Sequence, residues 1–345
     1  MNSNKLLTIV IPTYNIEKYI EKCLASFLNK KIINYLDIIV VNDGSKDNSL
    51  LKASNIAKKY PKSITIVDKE NAGHGSTINV GVYKSTGKYF MVVDGDDWID
   101  SNALENIIGL LKEEKYDAIF VNSIIEMQYK NTTRKRNLKA IFKNTGDVDL
   151  NSAMPSIDNQ VGLANIIYKT SILKDINLKL LEKTFYVDVE YMLYPLRKIN
   201  SAFYCDEYIY HYLVGRPEQS INISTALKHL NDRKKVIKAV VNYYSNLDLK
   251  KSSKYILRTY YSKLASVIND YYDILIRGNA NYEKEINEMN NFIISKDKRL
   301  YDYVEKKYYY IKKARVSNYS KKAIKINFVI DRYLKKIRRV IKRGY

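Results

Sequence analysis

The run Thr8-Ile9-Val10-Ile11-Pro12-Thr13-Tyr14-Asn15, continued by Ile16-Glu17-Lys18-Tyr19-Ile20-Glu21-Lys22-Cys23-Leu24-Ala25-Ser26-Phe27, changes its hydrophobic period at a proline. Thr8 to Ile11 is a short β-branched run and reads as a buried strand. Ile16, Ile20, Cys23, Leu24 and Phe27 then recur at helical spacing. The same alternation continues outward. Asp37 to Val41, Ser63 to Val67, Tyr89 to Val93 and Ala118 to Asn122 read as strands, and Leu104, Ile107, Ile108 and Leu111 mark a further helix. Strands alternating with helices predict an α/β fold, a Rossmann-like, mostly parallel sheet with helices on both faces. Ligands of such sheets bind beyond the carboxyl ends of the strands.

Three of those ends carry polar turns: Pro12-Thr13-Tyr14-Asn15, Asn42-Asp43-Gly44-Ser45-Lys46-Asp47 and Asp94-Gly95-Asp96-Asp97-Trp98. Carboxylates crowded at Asp94, Asp96 and Asp97 repel one another unless a cation lies among them. A hard divalent cation with diphosphate oxygens would complete their shell. The competing reading is a solvated turn in which Asp97 caps the helix starting at Ser101. Asp43 is delivered to the same crevice, where a carboxylate accepts from a nucleobase imide or a ribose hydroxyl. As an isolated D-G-S it is an ordinary turn. Asn71-Ala72-Gly73-His74-Gly75-Ser76-Thr77-Ile78-Asn79-Val80-Gly81 is a glycine-containing loop opening a helix, where backbone N–H groups face phosphate and His74 donates to an anionic oxygen. It lacks the spacing of a P-loop.

The four stretches Ile9 to Asn15, Val41 to Ser45, Asn71 to Gly81 and Val93 to Trp98, in that order, closely resemble the family 2 glycosyltransferases over about residues 6 to 125. The resemblance implies a GT-A fold and a nucleotide-activated sugar donor, with UDP favoured. It places Pro12, Tyr14 and Asp43 on the nucleoside, Asp43 facing the uracil, with Asn71, Gly73, His74 and Gly75 near the donor and Asn79 a lesser contributor. It assigns Mn²⁺ or Mg²⁺ to Asp94 and Asp96, with Asp97 less certain. Inverting members place an acidic pair at a helix start downstream. The matching stretch is Thr184-Phe185-Tyr186-Val187-Asp188-Val189-Glu190-Tyr191-Met192, with Val187 where a Glu is common, which leaves Asp188 as the base. Glu190, two residues on, is expected to point elsewhere if the segment is helical. Tyr210-His211-Tyr212-Leu213-Val214-Gly215-Arg216-Pro217-Glu218-Gln219-Ser220 matches the place of a polar loop that closes over donor diphosphate or acceptor, which points to Arg216, Gln219 and Ser220. The Q-x-x-R-W motif of processive relatives is not found, so one residue is expected to be added per encounter.

The chain of 345 residues is 46% hydrophobic, enough for one large or two ordinary domains. No apolar run reaches the ~18 residues of a membrane span, so a cytoplasmic protein is expected. Two cysteines, Cys23 and Cys205, give neither a disulfide framework nor a zinc spacing. Charge is unevenly placed: residues 231–345 hold 29 Lys+Arg against 11 Asp+Glu, and the first 230 hold 29 against 26. That asymmetry divides the chain into a GT-A domain at 1–125, an acceptor-side continuation at 126–230 and a basic helical region at 231–345. Near its end Ile326, Ile330, Tyr333, Leu334, Ile337, Val340 and Ile341 fall on one helical face beside a polybasic one, the pattern of a helix lying on an anionic membrane. Packing against a partner is the competing reading. Nucleic acid is disfavoured, because no recognised motif accompanies the basic, tyrosine-rich composition.

Taken together, these features point to an inverting, metal-dependent transferase acting on a cell-surface glycan, teichoic acid or lipid-linked acceptor, peripheral on the inner face of the membrane. The rivals are a nucleotidyltransferase, disfavoured because Pro12 to Asn15 stands where a glycine- and basic-rich loop is usual, and a non-catalytic scaffold. The latter leaves Asp43, Asp94, Asp96 and Asp188 unexplained.

Overall fold

The structure, a computed structural model, describes residues 5–215, 223–278 and 282–308, together with 322, 325–327 and 329–330. They fall into two compact units, one within 1–219 and 252–258, the other within 220–251 and 259–345.

The first unit runs β1 Leu7–Thr13, α1 Ile20–Ala25, β2 Leu36–Asp43, α2 Ser49–Ala57, β3 Ile64–Lys69, α3 His74–Lys84, β4 Tyr89–Val92, β5 Trp98–Ile99, α4 Ser101–Leu111 and β6 Ala118–Met127. It continues with β7 Thr132–Arg136, α5 Lys139–Phe142, β8 Gly146–Asp147, β9 Ile166–Lys169, α6 Thr170–Asp175, α7 Asp188–Leu193 and β10 Ala202–Val214. All five expected strands are present, and β6 extends well past Asn122.

One sheet has the order β3-β2-β1-β4-β9-β6-β10-β5, with β7 on β6 and β8 on β10. Strands β1 to β4, and the β6–β10 pair, are parallel; β5, β7, β8 and β9 join antiparallel. Every residue of β1 is buried, as expected for a strand covered on both faces. Ile9, Ile11, Ile38, Val40, Met91 and Val93 pack with Ile20, Leu24, Phe27, Leu104, Ile107 and Leu111. Each such fully buried side chain contributes about 1.5–3 kcal/mol. On the other face α3 lies over β1 and β2, with Ile78 fully buried.

Two expectations change. The helix after the acidic turn is capped by Asp100, whose carboxylate accepts from the N–H groups of Asn102 and Ala103 at 2.9 and 2.8 Å, and not by Asp97. The stretch read as a loop from Tyr210 is strand until Val214, because its alternating aromatic and apolar side chains pair with β6.

The second unit contains α8 Ile223–Lys228, α9 Leu230–Ser245, most of α10 Lys254–Gly278, α11 Tyr282–Lys296 and α12 Lys298–Lys307. Its tyrosines are largely core. Tyr244 and Tyr260 stack with ring centroids 4.0 Å apart, and the hydroxyls of Tyr260, Tyr271 and Tyr272 donate to Asp297, Glu285 and Asn290. These buried rings answer to helix packing. Among the described residues no helix is long and apolar enough to cross a membrane. Of the amphipathic face expected near the end, Ile326 and Ile330 are helical and exposed, and Tyr333, Leu334, Ile337, Val340 and Ile341 lie outside the described residues.

Candidate active site

The first two strand ends are laced together by side chain to backbone bonds. Asn15 N–H donates to Ser45 Oγ at 3.1 Å while Lys46 N–H donates to Asn15 Oδ1 at 2.8 Å; Glu17 N–H and Asp47, and Asn48 N–H and Glu17, form a second reciprocal pair. Pro12 is buried at this seam, and Tyr14 leaves it with half of its surface exposed.

Asp43 is almost fully buried. Its Oδ1 accepts from Ala72 N–H at 2.9 Å and from the Lys69 ammonium, and its Oδ2 from Gly73 N–H at 2.8 Å. Asn71 Nδ2 reaches its carbonyl at 2.9 Å. One carboxylate thus fixes the Asn71–Gly73 loop to the end of β2, and Lys69, at the end of β3, balances its charge.

The loop opens α3, which is tied to the chain before α7 at three points. Lys183 N–H donates to Ala72 O at 2.6 Å, and the Asn79 amide brackets Leu180, accepting its N–H at 2.8 Å and donating to its carbonyl at 3.0 Å. At Gly75 a Cβ would sit 2.1 Å from Leu181 O, so the close approach admits no side chain. Gly73, at the N-cap of α3, and the helix's first residues His74 and Gly75 are therefore held from both sides. Tyr186 has φ 67°, a left-handed conformation rare for an aromatic residue and typical of functional sites. It precedes α7, whose first residue is Asp188, half-buried between buried Val187 and Val189. Glu190 turns away: it is 1% exposed and accepts from Leu181 N–H at 3.1 Å and Tyr194 OH at 2.8 Å, with burial holding its carboxyl above the usual range.

The acidic turn divides its carboxylates between structure and solvent. Asp97 is buried; its Oδ2 accepts from Tyr210 OH at 2.6 Å and its Oδ1 from Leu213 N–H at 2.8 Å. Burial, then the charges of Asp96 and Asp94, push its carboxyl well above the usual range. Asp94 and Asp96 remain half-buried, and Asp94 Oδ1 lies 2.9 Å from His74 Nε2. Burial alone would lower the His74 pKa, but Asp94 and, less strongly, Asp188 and Asp96 raise it. Gly95 makes the turn tight, since a Cβ there would meet Ile16 Cδ1 at 2.3 Å. Tyr212 is held in its neutral form by burial and by Asp94, Asp97, Asp96 and Asp188. Asp188 therefore shares one field with the acidic turn.

A metal ion suits this donor set in part. Among the described residues no group of three or more His, Cys, Asp or Glu side chains is arranged to hold one. Asp94 and Asp96 offer two hard oxygen ligands, and Mg²⁺-type ions keep waters and take substrate phosphates for the rest. The residues fit a cation that arrives with a diphosphate.

Lys69, Tyr210 and Tyr212 were not singled out by sequence. The signal for the tyrosines was their spacing of two on a strand, which sends both hydroxyls to one face. Tyr210 also accepts Asp94 N–H at 3.1 Å, so it joins both ends of the acidic turn. Tyr210→Phe is expected to cost about 1.5–3 kcal/mol, the worth of a buried hydrogen bond to a charged group. Thermal unfolding checks it, and an unchanged midpoint would show that Asp97 is held by other means. Arg216, Gln219 and Ser220 lie outside the described residues.

Residues 8–170 match the family model described as Glycosyl transferase family 2. The minor teichoic acid biosynthesis protein GgaB of Bacillus subtilis is 30% identical over 144 residues, 41% of this chain and 16% of its own length. The chain thus spans under a fifth of that relative. Among solved structures, TarS of S. aureus superposes with a TM-score of 0.66 at 20% identity, covering 96% of this chain and 91% of that one; it is also known in complex with UDP and with UDP-GlcNAc. The mannosyltransferase PcManGT of Pyrobaculum calidifontis, in complex with GDP-Man and Mn²⁺, gives a TM-score of 0.50 at 15% identity, covering 86% and 84%. At these identities the structural likeness speaks for the shared fold.

Proposed function

We propose, from the match of residues 8–170 to the family 2 glycosyltransferases, that the chain moves a sugar from a nucleotide-sugar, a UDP-sugar first among them, to a hydroxyl of a cell-surface glycan, teichoic acid or lipid-linked acceptor, with inversion at the anomeric carbon. The observation that carries this reading is the sorting of carboxylates. Asp97 and Glu190 are buried and engaged by the scaffold, whereas Asp94, Asp96 and Asp188 stay accessible in one field around His74 and Tyr212. A scaffold protein has no use for that division. The UDP and UDP-GlcNAc complexes of TarS support the donor class, the name of GgaB supports a surface-polymer acceptor, and the Mn²⁺ in PcManGT supports a metal.

Tyr14 and the loop organised by Asp43 hold the nucleoside. Among the described residues Asp43 Oδ2 accepts from Gly73 N–H, which leaves a lone pair for a uracil imide. Asp94 and Asp96 would hold Mn²⁺ or Mg²⁺, which would neutralise charge developing on the departing diphosphate. His74 fixes the orientation of Asp94. Asp188 takes the proton from the acceptor hydroxyl as its oxygen attacks the anomeric carbon opposite the diphosphate. A single displacement by that geometry inverts the configuration.

Nucleotide release from UDP-, GDP- and dTDP-sugars, with Mn²⁺, with Mg²⁺ and with chelator, tests the proposal. Metal-dependent release from one donor is expected. Silence across the panel together with no donor binding by calorimetry would overturn it.

A further inference from the structure

Arg136 ends β7 with a half-buried guanidinium. Its Nη2 donates to the carbonyl of Gln160 at 2.7 Å, and the backbone of Gly162 passes so close that a Cβ there would lie 3.5 Å from Nη1. Among the described residues no carboxylate pairs with it. Burial lowers its basicity, the charge of Arg134 lowers it further, and Tyr212 opposes them weakly. A desolvated charge is costly unless paired, and a neutral carbonyl uses one of five guanidinium N–H donors. The remaining fork suits an anion supplied from outside.

Strand register places that fork. Arg136 pairs with Ser123 of β6, and Ser123 with Tyr210 of β10; Arg134 pairs with Ile125, and Ile125 with Tyr212. Residues opposite one another on neighbouring strands share a face. Arg134 and Arg136 therefore stand on the face where the Tyr210 hydroxyl meets Asp97 and Asp94 and where Tyr212 feels Asp94, Asp97, Asp96 and Asp188. Lys135 points to the opposite face, with its ammonium 4.9 Å from the Tyr208 ring centroid. Charged residues on an edge strand also discourage edge-to-edge pairing. That accounts for exposed Arg134 and Lys135 but not for a half-buried arginine facing the site.

We propose that Arg134 and Arg136 bind a phosphate of the acceptor, so that the acceptor is a phosphodiester-linked polymer and not a neutral glycan. This rests on the transfer reading above and narrows its acceptor. Two strand spacings, roughly 10 Å, separate β7 from β10, so the fork serves a phosphate further along the acceptor chain while the donor diphosphate is left to Asp94 and Asp96.

The test compares the full chain with the R134Q/R136Q variant. The probes are a glycerol-phosphate hexamer, the neutral sugar maltohexaose, phosphatidylglycerol vesicles and the donor that gives nucleotide release. The parent is expected to bind the hexamer in a salt-sensitive way and the neutral sugar not at all. The variant should lose roughly 10- to 100-fold in hexamer affinity, the effect of hydrogen bonds to a charged group. Equal melting temperatures establish that the variant folds; if it does not, Arg136→Lys, which keeps the charge and loses the fork, carries the same comparison. Unchanged hexamer affinity, equally tight binding of maltohexaose, a matching fall in donor affinity, or a loss confined to the vesicles would each overturn the site. A parent that neither binds nor turns over any nucleotide-sugar sinks the transfer reading itself, whatever the hexamer does.

Discussion

Asp188→Asn is expected to keep donor affinity while slowing transfer to acceptor by about 10²- to 10⁴-fold, the usual contribution of a positioned general base. The substitution removes the proton acceptor and nothing of the scaffold. Asp188 makes no cap bond in α7, and its neighbours Val187 and Val189 keep their buried positions whichever side chain stands between them. Its field reaches His74 and Tyr212, which places it beside the acidic turn. The two measurements are donor binding by calorimetry and transfer under saturating donor. Near-normal transfer would remove Asp188 as the base, and a fall in donor affinity equal to the fall in rate would move it to the donor side.

Asp94→Ala should fail in the opposite way. Asp94 is one of two accessible carboxylates available to a divalent cation and the partner of His74 Nε2. Removing it takes away a proposed cation ligand and the hydrogen-bond partner of His74 Nε2. Loss of partners that merely orient metal ligands costs 10- to 100-fold in affinity or activity, so loss of a ligand itself is expected to cost at least ~100-fold in metal-dependent donor binding. Titrating donor with and without Mn²⁺ reads this directly. The parent's metal-dependent gain should vanish in the variant, and a variant with the full gain would show that Asp94 is not a ligand. The stability change should stay small, because Asp97 and Tyr210, not Asp94, hold the turn through side chains.

The strand ends were legible because burial on both faces writes parallel strands as β-branched runs, and because polar turns follow them. Ile9 to Ile11, Ile38 to Val41 and Phe90 to Val92 could hardly read otherwise. Strand β10 was harder: Tyr210 and Tyr212 are aromatic yet polar at the tip, and they face a buried site that only pairing with β6 reveals. The division of labour within Asp94, Asp96 and Asp97 was also hidden. Three adjacent carboxylates look alike in sequence, and the distinction arises from Tyr210 and Leu213, more than a hundred residues away. The same holds for Asp43, whose partners include two backbone N–H groups that no side-chain pattern announces.

The ties between α3 and the stretch before α7 bear on how such enzymes diversify. On one side they depend on particular residues: Gly75, which must lack a side chain, and Asn79, whose amide must bracket a peptide. On the other side they engage mostly main chain, the N–H and carbonyl of Leu180, the carbonyl of Leu181 and the N–H of Lys183, with Glu182 Oε1, which accepts from Asn79 Nδ2 at 3.3 Å, the side chain among them. The matched family region stops at residue 170, before that stretch begins. A chimera joined there can therefore bring in a downstream half of unrelated sequence and still have it docked at the right distance from the donor loop, provided the backbone path is kept. The matched half supplies the handles, and the downstream half is free to drift.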